Sequence, residues 1–489
     1  MRAFSPRSNA LSRPNSWGYA LAVGALIGMS AGLLSLLLAL AGPIIAAGVV
    51  VGLLAGVYVL SNVSAALYGI IFVMMLLPFG TLPFRIGFTP TFLDIAMGTF
   101  VFVYLAQWMT GRRHSFRFTP VHALIGLYIL WLLLCFALGL RYAMPTSTIL
   151  RQFAETLISI SLVFILVDLL RDKTALRRLV LVVMVAIALQ ALAAIILVML
   201  PDDLTERTLI RLARFGYPNG GVIRYIEDNP ALAERAIGTW VDPNALGGIL
   251  AIAASMIAPQ LFTRRPVLRY RGLTVALLGI VTLALVLTFS RASMLGFAIG
   301  VAFIGLFPGY RRYLTILIVG LALMLALPQT RSYVERFAQA FTASDLATQM
   351  RLGEYSDSLE LISQHPIVGV GFTGTPSIDL YTNVASLYLI MANQIGLVGV
   401  ALFLVTIGAV FLYGWHTRQS ARGQPELESI HLGYHAALLT ALINATADLY
   451  FFRLDFHASI TMFWLTVALA LSSSRLAVEG RDSTVAESP

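Results

Sequence analysis

Charge is what this sequence lacks most. Only 12% of its 489 residues are Asp, Glu, Lys or Arg, while 58% are hydrophobic. A soluble domain carries about 25% charged residues, so the composition excludes a soluble enzyme and points to a chain dissolved in lipid, for which length gives no domain count. Cysteine is almost absent. The one residue, Cys135, lies inside an apolar run, which excludes a disulfide framework and a thiolate metal site. Lysine is nearly missing too: of 33 basic residues, Lys173 alone is not arginine. The N-terminal stretch MRAFSPRSNALSRPNSWGYALAV shows no small-residue cleavage site before its apolar run, and reads as an uncleaved first span. A net charge of +9 invites a nucleic-acid reading. Its placement has a membrane explanation instead, and no nucleic acid is expected as a partner.

What is present is a series of apolar runs of about 20 residues, the length that crosses a bilayer. They fall at 18–40, 43–61, 64–80, 91–109, 120–140, 148–170, 177–200, 243–262, 273–289, 293–308, 311–328, 384–413, 430–449 and 455–473. The expected fold is an all-α polytopic membrane protein of about 14 (12–14) transmembrane helices, with two outer-face loop segments that are partly helical. Arginine sets the orientation. Basic residues precede the first span (Arg2, Arg7, Arg13) and follow the fourth (Arg112, Arg113, Arg117), sixth (Arg171, Lys173, Arg177, Arg178) and eighth (Arg264, Arg265, Arg269, Arg271). They recur after the tenth (Arg311, Arg312), the twelfth (Arg418, Arg422) and the last (Arg475, Arg481). With 14 spans all these segments share one side, and the positive-inside rule makes it cytoplasmic. Both termini are then cytoplasmic, in a bacterial inner membrane. The expected organisation is helices 1–7 over 1–200, a periplasmic loop over 201–242, helices 8–11 over 243–328, a large periplasmic loop over 329–383, helices 12–14 over 384–475 and a cytoplasmic tail over 476–489.

The two long loops hold arginines that topology does not explain: Arg207, Arg211, Arg214, Arg224 and Arg235 in one, Arg331, Arg336 and Arg351 in the other. Both also carry many acids, so solvated helix surfaces with local ion pairs account for most of them. Helical spacing puts Arg207, Arg211 and Arg214 on one face. Three stretches at the outer surface stand out. In RAIGTWVDPNALGG (235–248), Asp242 followed by Pro243 reads as an N-cap and a first-turn proline, which leaves Arg235 and Asn244 unexplained. In LTFSRASMLGFAIG (287–300), Arg291 interrupts two apolar runs, as either a snorkelling hairpin residue or a functional one. RLGEYSDSLELISQHPIVGVGFTG (351–374) reads as a helix ending near His365–Pro366 and a glycine-punctuated turn. Asp448 and Asp455 read as caps around the last outer turn.

The order of these pieces carries a resemblance. R-x-x-G-T-x-x-x-P-N at 235–244, S-R-A at 290–292, then Arg351, H-P-I-V-G-V-G at 365–371 and N-x-x-G-L-V-G at 393–399 resemble the O-antigen ligase/Wzy polymerase superfamily over about residues 230–415. The resemblance implies an all-helical membrane glycosyltransferase that moves glycan from an undecaprenyl-pyrophosphate carrier to an acceptor sugar at the periplasmic face, without a metal or other cofactor. It implies as partners the lipid-linked glycan donor, a glycan or lipid A-core acceptor, membrane lipids and, for a polymerase, a chain-length regulator. By matching position Arg235, Arg291 and Arg351 are the expected catalytic arginines, Arg235 and Arg351 for the pyrophosphate and Arg291 as a brace. Asn244, Arg211, Arg214, Tyr381 and Asn383 are expected to bind substrate.

The chemistry suits the residues. A pyrophosphate leaving group needs its growing charge stabilised, and fixed guanidinium groups bind phosphate oxygens bidentately. No D-x-D or histidine-rich pattern marks the outer face. One departure concerns the base. Many family members place a His-Asn or similar pair where this chain has Ala385 and Ser386, which leaves Asp379, His365 and Glu155 as candidates. Glu155 stands four residues after Arg151, as a functional acid at membrane depth or as half of a neutral pair. The missing histidine favours an exopolysaccharide or O-antigen polymerase over a lipid A-core ligase. The competing class is a lipid-linked oligosaccharide flippase, for which repeats, midplane charges and broken helices are expected.

Overall fold

A computed structural model describes residues 56–83, 87–326, 346–374 and 384–486. By proximity the chain divides into residues 1–65 and 66–489, and the description below concerns the second unit. Its first helices are α1 (Val63–Leu76), α2 (Phe92–Met109), α3 (His122–Gly139), α4 (Ser147–Leu169) and α5 (Lys173–Met199). A short α6 (Asp202–Ile210) leads to a small hairpin of β1 (Arg224–Tyr225) and β2 (Glu234–Arg235). Then come α7 (Pro243–Ile257), α8 (Arg271–Leu287), α9 (Arg291–Gly305) and α10 (Arg312–Ala326). The chain ends with α11 (Leu346–Gln364), α12 (Leu387–Arg422), α13 (Glu428–Asn444) and α14 (His457–Ala486). The molecule is a mostly helical, multi-pass membrane protein. Among the described residues seven helices are long and apolar enough to cross a membrane: α2, α3, α4, α5, α7 with its 3-10 extension to Leu261, α12 and α14. The expected spans at 18–40 and 43–61 lie wholly or mostly outside the described residues.

Local chemistry sets the helix starts. Thr91 and Asp94 form a reciprocal capping box at α2, Thr146 caps α4 and Asp172 caps α5, each satisfying amide groups that have no partner within the helix. Asp242 caps α7 by accepting from the amides of Asn244 and Ala245 at 2.8 and 3.0 Å, with Pro243 in the first turn, as the sequence predicts. The centre is built from α7 and α14, the most enclosed of the seven. Lipid supplies little hydrophobic drive between helices, so close packing and polar contacts hold them together. A side chain at Gly247 of α7 would collide with Ser290 and Ser293 beside α9. Ser293 Oγ donates to Asn444 of α13 at 3.0 Å, and Ser255 and Thr440 link α7 to α13 at 2.7 Å.

One span is broken. At Gly396 φ is 69° and α12 loses its regular backbone. The HPIVGVG turn fills the gap. Val370 and Gly371 donate to the carbonyls of Asn393 and Gln394 at 2.8 and 2.9 Å, and Leu397 donates to Pro366 at 2.8 Å. Trp131 Nε1 of α3 donates to Ile395 at 3.0 Å. Unpaired backbone in a membrane costs several kcal/mol per group, and the turn removes that cost. Any side chain at Gly396 would strike Ile367's carbonyl, and one at Gly369 the carbonyl of Asn393.

The two ends of the bundle differ. At one, the buried carboxylate of Asp168 accepts from Arg113 and Arg171 at 2.9 Å, from Tyr104 at 3.0 Å and from the Arg117 amide at 3.0 Å. Arg177 donates to the carbonyls of Arg265, Pro266 and Glu426 there, and Arg475 to that of Leu170. The other end gathers β2 and the starts of α7, α9, α12 and α14.

Candidate functional site

The site is assembled around the stretch that starts α7. The hairpin pairs Arg224 with Arg235 and Tyr225 with Glu234, and the next amide, Ala236, donates to Leu287 at the end of α8 at 2.8 Å. This fixes the direction of Arg235. Its Nε donates to the Thr288 carbonyl at 2.8 Å and its Nη2 to Asn244 Oδ1 at 2.7 Å. Asn244 is thus held from both sides, its amide by Asp242 and its side-chain oxygen by Arg235. Arg291, three residues beyond Thr288, opens α9 and is half-buried. Burial, with Asp202 nearby, pushes the Glu234 carboxyl up to about 7.

Asp448 faces this group from the turn between α13 and α14. Its carbonyl, with that of Ala445, accepts from the Leu387 amide at 2.9 Å, tying the turn to the start of α12. The carboxyl is 3% exposed, and its Oδ2 has no hydrogen-bond partner. Burial pushes Asp448 up to about 7, and the neighbouring Asp242 charge adds to that rise. Arg351 and Arg235 act on it in the opposite sense, holding the charged form. The Tyr450 hydroxyl is raised by burial and by the same two aspartates.

Arg351 arrives on α11, one turn before Tyr355. Glu354 accepts from the Ala385 amide at 3.0 Å and Tyr355 donates to the Ala385 carbonyl at 3.3 Å. Ser358 donates to Asn393 at 2.9 Å. Burial raises the Tyr355 hydroxyl. Ala385 therefore serves α11 through its backbone. Arg235, Arg351, Asn244, Asp242 and Asp448 form one electrostatic unit, with Arg291 at its edge.

Other sequence-predicted residues fall elsewhere. His365 lies at the opposite end of α11 from Arg351, about 20 Å along the helix, with its ring edge-on to Tyr142 and its carbonyl accepting from Gly369 at 3.2 Å. Glu155 belongs to a separate cluster. Arg151 Nη1 donates to it at 2.6 Å and to Asp94 at 2.9 Å, and His457 stands beside both acids, so the expected two-residue pair is a group of four. Arg211 and Arg214 do not continue the helix face of Arg207. The α-helix ends at Ile210 and tightens to a 3-10 turn closed by Gly216 at φ 84°. Both arginines are exposed, Arg214 lying over the Phe215 ring. Asp379, Tyr381 and Asn383 lie outside the described residues. Sequence reasoning missed Asp448. Its buried carboxyl overturns the reading as a cap, whereas Asp455 pairs with Arg453 at 2.7 Å. The available signal was an acid in a short turn between two apolar runs, the same one that marked Arg291.

Residues 275–404 match the family model described as O-antigen ligase. The chain carries an O-antigen ligase domain. The match supports an O-antigen ligase-type membrane enzyme. The matched segment includes Arg291, Arg351, the HPIVGVG turn and the break in α12. Arg235 and Asn244 precede it and Asp448 follows it, so the electrostatic unit joins the matched segment to both flanks. None of the curated proteins compared with the chain matches it.

Proposed function

We propose that this enzyme transfers or polymerises undecaprenyl-pyrophosphate-linked polysaccharide repeats at the periplasmic face of a bacterial inner membrane, without a metal in the transfer step. Polymerisation of an exopolysaccharide or O-antigen is favoured over ligation to lipid A-core. The observation that carries this reading is that Arg235 and Arg351 both act electrostatically on the buried carboxyl of Asp448. In the reaction Arg235 and Arg351 hold the donor's pyrophosphate oxygens, with Arg291 bracing the site and Asn244 fixing the Arg235 fork. The acceptor hydroxyl attacks the anomeric carbon as the bond from that carbon to the phosphate oxygen breaks. Asp448 accepts the hydroxyl proton, and undecaprenyl pyrophosphate leaves with the bonding electrons. Fixed cations aimed at the leaving group act without reorganisation, which is where most of the rate gain lies.

A broken span is also what a flippase would show. In α12 the break is plugged by the HPIVGVG backbone rather than left to line a substrate cavity. The test is a chromosomal deletion with glycan analysis, complemented by Arg235→Ala and Arg351→Ala. Loss of long chains with single repeats remaining is the polymerase outcome; carrier-linked long chains lacking lipid A attachment are the ligase outcome. Each substitution should lower transfer about 100-fold or more with membrane insertion unchanged. Normal polymer from both variants would remove the pyrophosphate assignment.

A further inference from the structure

Where the turn that carries Asp448 runs into α14, three helices bring together a second group of ionisable side chains: Asp94 of α2, Arg151 and Glu155 of α4, and His457 of α14. Arg151 Nη1 binds Asp94 Oδ2 at 2.9 Å and Glu155 Oε1 at 2.6 Å. The Thr91 amide also donates to Asp94 Oδ2, at 2.7 Å. Each carboxylate keeps its other oxygen for the far side. There His457 Nδ1 lies 3.8 Å from Asp94 Oδ1 and 3.4 Å from Glu155 Oε2. His457 is 7% exposed, and neither ring nitrogen nor Asp94 Oδ1 has a hydrogen-bond partner.

Two carboxyl groups share one guanidinium and turn their other oxygens toward an imidazole nitrogen. A proton on His457 does not answer the spacing, because a charge-assisted hydrogen bond spans about 2.7–2.9 Å. A small metal ion does. Ligand atoms about 2.0–2.1 Å from a tetrahedral zinc ion stand roughly 3.3–3.4 Å from one another, which matches the 3.4 Å from His457 Nδ1 to Glu155 Oε2 and is a few tenths of an ångström under the 3.8 Å to Asp94 Oδ1. Among the described residues, these three side chains form the group whose donor atoms lie within 4.8 Å of one another. We propose that Asp94 Oδ1, Glu155 Oε2 and His457 Nδ1 bind one divalent transition-metal ion of zinc type, with a fourth position for water. An imidazole donor favours such an ion over magnesium or calcium, which take oxygen ligands. Arg151 orients both carboxylates by gripping their opposite oxygens, as the outer partners of metal ligands do. The ion ties together α2, α4 and α14.

The test uses the full chain without a polyhistidine tag, purified in detergent, stripped with chelator and titrated with zinc chloride or magnesium chloride. Wild-type protein is expected to retain about one zinc per chain after gel filtration, the single three-ligand site above, by plasma mass spectrometry. Zinc, and not magnesium at the same concentration, should raise its melting temperature. Asp94→Asn and His457→Gln are expected to weaken zinc binding roughly tenfold or more. Glu155→Gln, which keeps the side chain's shape, supplies the comparison if either fails to elute as a single species. Wild type that retains no zinc overturns the proposal, as do folded variants that keep wild-type affinity. Because the readout is binding, failure here is separate from failure of the transfer mechanism.

Discussion

Asp448 shows how one residue's surroundings decide its chemistry. An ordinary aspartate is ionised above about pH 4, but burial pushes this carboxyl up to about 7. A base must be ionised to take a proton. Transfer is therefore expected to fall as pH drops below about 7, with an acidic limb far above that of a solvated carboxylate. Asp448→Asn should remove the limb and slow transfer about 100-fold or more; a variant that keeps the wild-type pH profile would exclude Asp448 as the base. Stability follows the same raised value. Between about pH 4 and about 7 the folded protein holds a proton that the unfolded chain has released. The stabilisation is full below the unfolded value and lost as pH rises through the folded one. Much of this was hidden in the sequence. Arg235 and Arg291 stood out because a cation beside an apolar run is costly, and Arg351 through its place in the family pattern. Asp448 looked like a cap because burial depends on which elements close over a turn, and that is not local. Asp94, Glu155 and His457 had no readable spacing, coming from three distant helices.

At the scale of elements, the helix starts were legible to within a few residues. Asp242–Pro243 and Thr91–Asp94 are local devices, and the apolar runs fix helix positions by length. The break in α12 was less so. The glycines of HPIVGVG and of NQIG were visible as turn punctuation, but not that each motif exists for the other. This pairing makes a prediction. Gly396→Ala places a side chain against the Ile367 carbonyl at a left-handed φ, and should cost roughly 1–3 kcal/mol, read as a lower melting temperature in detergent. Gly408→Ala, in the same helix with open space around it, should leave that temperature nearly unchanged. Equal effects at both sites would refute the pairing. Arg211 and Arg214 teach the reverse: their spacing suited one α-helical face, but the α-helix gives way to a 3-10 turn after Ile210.

Across the whole molecule the two ends handle charge differently. Around Asp168 every carboxylate oxygen is answered by arginine, tyrosine or amide donors. The opposite end leaves Asp448 Oδ2, Asp94 Oδ1 and both nitrogens of His457 without partners. Charge counting in the sequence separated these ends, yet it treated the arginines of the first as topology markers alone, missing their carbonyl and carboxylate partners. Asp168→Asn should destabilise the protein by about 3–5 kcal/mol, because it breaks a buried ion pair and strands two arginines. At pH 8 Asp448→Asn should leave the melting temperature unchanged or raise it, since it removes a buried charge. Calorimetry of both variants in one detergent checks the contrast. The plug in α12 also bears on biogenesis. Residues 366–371 leave the ribosome before α12 does, so the broken span meets its missing backbone partners as it emerges. Membrane insertion of this span can then finish without waiting for any later part of the chain.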